Sequence, residues 1–133
     1  MGHKGSVQKK LIVMVGVILL LAFSCARSGA ITLHARDDGS QVELVKGQAF
    51  VVSLAGNPST GYTWEAVDYD QQVLRQVGEP SFTPASDRLG ASGTQVLRFE
   101  AVGEGRTTLR LVYHRPWEDA EPEQTFSVEV VVR

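Results

Sequence analysis

Beyond residue 30, apolar and polar residues alternate one by one through segment after segment. Phe50, Val52 and Leu54 share one face of 48–54. Leu97, Phe99 and Ala101 share one face of 95–101, with Arg98 and Glu100 on the other. Leu109, Leu111 and Tyr113 alternate with Arg110, Val112 and His114. In 126–132, Phe126, Val128, Val130 and Val132 alternate with Ser127, Glu129 and Val131. A period of two marks half-buried strands, and no long stretch has the spacing of an amphipathic helix. Residues 62–67 read as a shorter strand with Trp64 and Ala66 on one side, Trp64 being core. Residues 31–35 and 41–45 read as opening strands around the turn Asp37-Asp38-Gly39-Ser40, and 73–77 as either a weak strand or a single helical turn.

Short strands divided by Gly, Pro, Asn and Asp clusters predict an all-β fold, an immunoglobulin-like β-sandwich of seven to eight strands. If successive strands alternate in direction, the connections at 57–62, 78–94 and 115–123 come out at one end. Immunoglobulin variable domains gather three binding loops by the same parity. The expectation requires 73–77 to be a strand running opposite to 62–67.

Each of these connections has the composition of a shaped loop. In Asn57-Pro58-Ser59-Thr60-Gly61-Tyr62, Pro58 fixes its own φ and biases Asn57 toward extended backbone. Gly61 is free to take a positive φ, and Ser59 and Thr60 can bond back to the loop's own backbone. Gly90-Ala91-Ser92-Gly93 is nearly bare backbone that could lie against a partner. Arg115-Pro116-Trp117 sets an indole and a guanidinium beside a rigid proline, and Trp and Arg are the side chains most enriched at binding hot spots. Taken singly, the three segments read equally as a tight turn, a surface loop and a cap on the core.

The first thirty residues differ. Lys4, Lys9 and Lys10 precede an uncharged run from Leu11 to Phe23, followed by small residues around Cys25. This is the pattern of an export signal. Thirteen residues at about 1.5 Å each reach about 20 Å, short of a hydrocarbon core of about 30 Å. The chain therefore divides into a signal and short linker at 1–30 and one domain at 31–133, expected to act as a monomer. Cys25 is the single cysteine. Its place resembles a bacterial lipobox, which implies lipidation at Cys25 and a membrane contact through that anchor alone, in the bacterial cell envelope. Phe23 is bulkier than that pattern prefers, and Ser28-Gly29-Ala30 offers a rival cleavage site that would leave a periplasmic or secreted protein.

Three of the 13 basic residues fall in the first ten positions, while all 15 acidic ones lie beyond residue 30. The chain from Cys25 onward thus has a net charge of −5, which argues against nucleic acid as a partner. Glu118 to Glu123 is a brief acidic loop, read as solvated. No His/Cys cluster has metal-ligand spacing, no nucleophile elbow or phosphate loop occurs, and His34 and His114 sit on outward faces. No catalytic residue, metal or cofactor is expected.

Asn57-Pro58-Ser59-Thr60-Gly61-Tyr62-Thr63-Trp64 resembles the Asn-Pro-Thr-Thr-Gly-aromatic-x-Trp of the chagasin-type inhibitors of papain-like cysteine proteases, with Ser59 in place of the first Thr. Leu89-Gly90-Ala91-Ser92-Gly93-Thr94 is similar to that family's glycine-rich loop, with Ser92 where Gly is usual. Tyr113-His114-Arg115-Pro116-Trp117 is similar to its Tyr-x-Arg-Pro-Trp. The likeness runs from about Ile31 to Arg133. It implies a reversible, non-covalent inhibitor whose three loops plug the active-site cleft of a papain-like protease. Thr60 would stand closest to the catalytic cysteine, with Gly90 to Gly93 on one flank and Arg115, Pro116 and Trp117 on the other. The alternative from another class is an immunoglobulin-like envelope adhesion or scaffold module that uses the same loop end on a non-protease partner.

Overall fold

Two short strands, β1 (Ile31–Leu33) and β2 (Gln41–Leu44), open the described part of the chain, residues 31–133 of the computed structural model. The readings of an export signal and of lipidated Cys25 fall outside the described residues. β1 and β2 flank the predicted turn without pairing with each other. β1 lies parallel to β3 (Ala49–Gly56), and β2 lies parallel to β9 (Gln124–Val132). The switch between sheets is a 3-10 turn over Ala35–Asp37, where Asp37 Oδ2 accepts from the His34 N–H at 2.8 Å.

The first sheet runs β1-β3-β7-β5, with β5 spanning Leu74–Gln76 and β7 spanning Gly93–Ala101. A further strand, β6 (Ser81–Pro84), also pairs with β7. The second sheet runs β2-β9-β8-β4, with β4 over Thr63–Asp68 and β8 over Gly105–His114. Over the described residues the fold is thus an all-β sandwich of nine strands, where the sequence predicts seven to eight. Residues 73–77 resolve as a strand, and the extra one, β6, lies inside the long 78–94 connection. β6 has no hydrophobic alternation and ends on a proline, which only an edge strand tolerates. Its pairing, from Ser81↔Val96 to Pro84↔Gly93, comes from β7 alone. β5 and β6 run in the same sense along one edge of β7, as one strand interrupted at residues 77–80.

The alternation read from the sequence is the division between core and surface, except that Val112, on the face of β8 it shares with Arg110 and His114, is buried as well. Phe50, Val52 and Leu54 of β3 and Leu97, Phe99 and Ala101 of β7 meet Leu109, Leu111, Phe126, Val128 and Val130 of the facing sheet, all buried. Phe50 and Phe99 stack with ring centroids 5.5 Å apart. Each large apolar side chain removed from water contributes about 1.5–3 kcal/mol, and no disulfide is available to help. Strand direction then fixes the loops. Gly56 at the end of β3 is opposite Gly93 at the start of β7, Thr63 at the start of β4 is opposite His114, and Tyr113 is opposite Gln124. The connections 57–62, 85–92 and 115–123 therefore leave from one end, as the parity of the strands predicts.

Candidate functional site

The central loop begins with Asn57 in extended backbone (φ −145°, ψ 91°), as the residue before a proline must be. Pro58–Thr60 then form one 3-10 turn, closed by Gly61 at φ +86°. The Asn57 side chain caps the turn, its Oδ1 accepting from Ser59 N at 3.2 Å and from Ser59 Oγ at 2.6 Å. Thr60 Oγ1 donates to the Asn57 carbonyl at 2.6 Å and accepts from Tyr62 N at 3.3 Å. Pro58, Ser59 and Thr60 form the exposed tip, while Asn57, Gly61 and Tyr62 are half-buried.

Both outer loops are bonded to this central one. On one side, Asn57 Nδ2 donates to the Gly90 carbonyl at 3.2 Å, and Ser59 Oγ lies 3.3 Å from the same oxygen. The main chain of Gly90 is thus turned toward its neighbour, where the sequence suggested it would be offered to a partner. Ala91 is half-buried, Ser92 is exposed, and Gly93 starts β7. A side chain at Gly93 would collide with the Thr83 carbonyl of β6, which is why bare backbone is needed there.

On the other side, Arg115 Nε donates to the Thr60 carbonyl at 3.0 Å. The guanidinium stands 4.6 Å from the centroid of the Tyr62 ring and bonds Glu118 Oε1 at 3.1 Å. Arg115 therefore works as a brace between loops. Pro116 is exposed, and Trp117 is 71% exposed and outside the core. The inner edge of its indole rests on Gly61, so that a Cβ there would be 2.5 Å from Trp117 Cη2. All thirteen loop residues singled out in the sequence fall on one end of the sandwich, with Thr60 between Gly90 and Trp117.

This end also holds residues outside the thirteen loop positions predicted to bind. Leu89 is fully exposed at the tip of 85–92. With Pro58, Phe82 and Pro84 it lines a groove of about 310 Å³ beside the central loop. Gln95 and Tyr113 lie beneath the loops, 5% and 7% exposed. The signal for Gln95 was present, because it occupies the inward face of β7 with Leu97, Phe99 and Ala101, where a polar residue needs a reason. Among the described residues, no group of three or more His, Cys, Asp or Glu side chains is placed to hold a metal. His114 instead pairs with Glu65 on the neighbouring strand at 2.8 Å.

Comparison with known proteins places this geometry. The profile described as chagasin family peptidase inhibitor I42 matches residues 43–130. Amoebiasin-1 of Entamoeba histolytica is 28% identical over 97 residues, covering 73% of this chain and 94% of that protein. Amoebiasin-2 of the same organism is 29% identical over 104 residues, covering 76% and 84%. Among solved structures, a cysteine protease inhibitor from Entamoeba histolytica superposes with a TM-score of 0.69 at 24% identity, over 78% of this chain and 96% of that one. PbICP-C, solved in complex with falcipain-2, shares the fold at a TM-score of 0.52 and 15% identity, over 80% and 92%.

Proposed function

Since the chain belongs to the chagasin family of peptidase inhibitors, we propose that it blocks papain-like cysteine proteases reversibly and without covalent chemistry. Its wedge is Asn57–Tyr62 flanked by Gly90–Gly93 and Arg115–Trp117. Family membership makes it an inhibitor and not an enzyme, and disfavours the adhesion-module reading. The observation that carries the protease-binding reading is the bonding of both outer loops to the central one. A three-part edge already held in shape loses little entropy on entering a cleft, and such preorganisation underlies tight protease–inhibitor interfaces of about 1,600 Å².

The tip is also a poor substrate. Proteases draw peptides out in extended form, whereas Pro58–Thr60 is a 3-10 turn. The carbonyls of Asn57, Pro58 and Thr60 already accept from Thr60, Gly61 and Arg115 respectively. A carbonyl oxygen committed to the loop's own donors is not free to turn into a protease's oxyanion hole, which disfavours attack by the thiolate. The partner reading is in keeping with PbICP-C, a neighbour in fold, having been solved with falcipain-2.

Titration of papain with the protein tests the proposal. The expected result is stoichiometric loss of activity that returns on dilution, with the inhibitor recovered uncut by mass spectrometry. Undiminished papain activity at micromolar inhibitor would reject it. Residues 1–30 are read as an export signal, with the inhibitor domain a monomer at 31–133. Acylation of Cys25 is checked by incorporation of a palmitate analogue, which a Cys25→Ser chain should lack.

A further inference from the structure

The central loop connects β3 of one sheet to β4 of the other, so no ladder hydrogen bonds cross its stem. In a hairpin, the pairing of the two strands sets the distance between the loop's ends. Here that distance is left to side chains. Three side chains span the gap between the sheets at this level, through four hydrogen bonds. The Tyr113 hydroxyl, on β8 of the second sheet, accepts from the Asn57 N–H at 2.9 Å, just past the end of β3. Trp64 Nε1, on β4, donates to the Ala55 carbonyl of β3 at 2.9 Å. Gln95, on β7 of the first sheet, reaches the other way. Its Oε1 accepts from Trp64 N at 3.0 Å, and its Nε2 donates to Thr63 Oγ1 at 2.8 Å.

These side chains converge beneath Gly56, where an added Cβ would be 3.5–3.7 Å from Tyr113, Gln95 and Trp64 together. The Tyr113 ring is itself wedged between Tyr62, at 5.3 Å, and Trp64, at 5.2 Å. Every buried side-chain nitrogen and oxygen among the described residues has a partner. The network thus holds one geometry and leaves no slack in it.

From this we infer that Tyr113 and Gln95 are positioning residues of the inhibitory edge, setting the separation and angle of the central loop's two roots before any protease arrives. Tyr113 fixes the incoming root at Asn57, and Gln95 fixes the outgoing root at Thr63 and Trp64. The inference deepens the protease-binding reading and rests on it. A loop with a loosened root spends less time in the binding geometry, and apparent affinity falls in proportion to that fraction. Once bound, the protease cleft holds the loop itself. The loss therefore appears in the association rate and leaves the dissociation rate unchanged.

The test compares Tyr113→Phe with Thr107→Val by surface plasmon resonance against immobilised papain. Tyr113→Phe keeps the stacked ring and removes one acceptor. Thr107→Val removes the same kind of bond at the opposite end of the sandwich, where Thr107 Oγ1 accepts from Asp70 N at 2.8 Å. Tyr113→Phe is expected to lower the association rate about five- to tenfold with dissociation unchanged, and Thr107→Val to leave both rates at the parent's values. A parental association rate in Tyr113→Phe, or an equal fall in both variants, would overturn the inference. Amide hydrogen exchange, measured without any protease, separates this from failure of the functional reading. Exchange of the Asn57, Thr60 and Gly61 amides should quicken in Tyr113→Phe alone. Unchanged protection there overturns the inference, whereas a parent protein that does not inhibit papain overturns the reading on which it rests.

Discussion

Gly61 and Trp117 pack against each other across two of the loops, and each is expected to fail in its own way when changed. At φ +86° an L-residue is strained by about 1–2 kcal/mol, and a Cβ at Gly61 would also displace the indole. Gly61→Ala should therefore lower the thermal midpoint and weaken inhibition together, as read by calorimetry and papain titration. Trp117→Ala should leave the midpoint within a degree or two, since most of the indole is exposed. It should nonetheless weaken inhibition by about 2–4 kcal/mol, the cost of truncating an aromatic anchor. If Trp117→Ala inhibits as well as the parent, the indole is no anchor. Arg115 differs from both. Arg115→Lys keeps a positive charge near Glu118 but loses the planar stack on Tyr62 and the Nε–H bond to the Thr60 carbonyl. It should weaken inhibition by about 1–2 kcal/mol, and equal inhibition constants for the two proteins would remove the brace from the account.

Among the elements, the long alternating strands were legible because their inward faces are apolar apart from Gln95 of β7 and Thr107 of β8. Every residue named on those faces of β3, β7, β8 and β9 is buried. β6 was not legible, because Ser81–Pro84 carries no pattern of its own and is a strand only by pairing with Val96 to Gly93. The separation of β1 from β2 is not legible for a similar reason. Residues 31–35 and 41–45 flank a good turn, and nothing local says that the chain crosses between sheets there. The loop end was foreseen from the parity of the strands and from three motifs. What sequence could not supply was the inward use of Gly90, Ser59 and Arg115, whose partners lie thirty or more positions away. The flank at Gly90 yields its own test. Asn57→Ala removes both the cap on Ser59 and the bond to Gly90, and should weaken inhibition by about 1–2 kcal/mol. Inhibition by Asn57→Ala equal to the parent's would mean that the flank holds its shape unaided.

At the scale of the molecule, all thirteen loop residues and their supports belong to residues 31–133, and the family profile matches within that span at 43–130. A chain beginning at Ile31 is thus expected to inhibit papain as tightly as the full chain, measured by parallel titrations. A weaker short chain would show that the leading segment contributes to binding. Because the central loop is rooted in opposite sheets, the breadth of the inhibitor's blade follows the thickness of the sandwich. A methyl group gained or lost at Val52 or Leu111, far from any enzyme, would then regrind that blade, and target preference could drift through the core while every contact residue stayed the same.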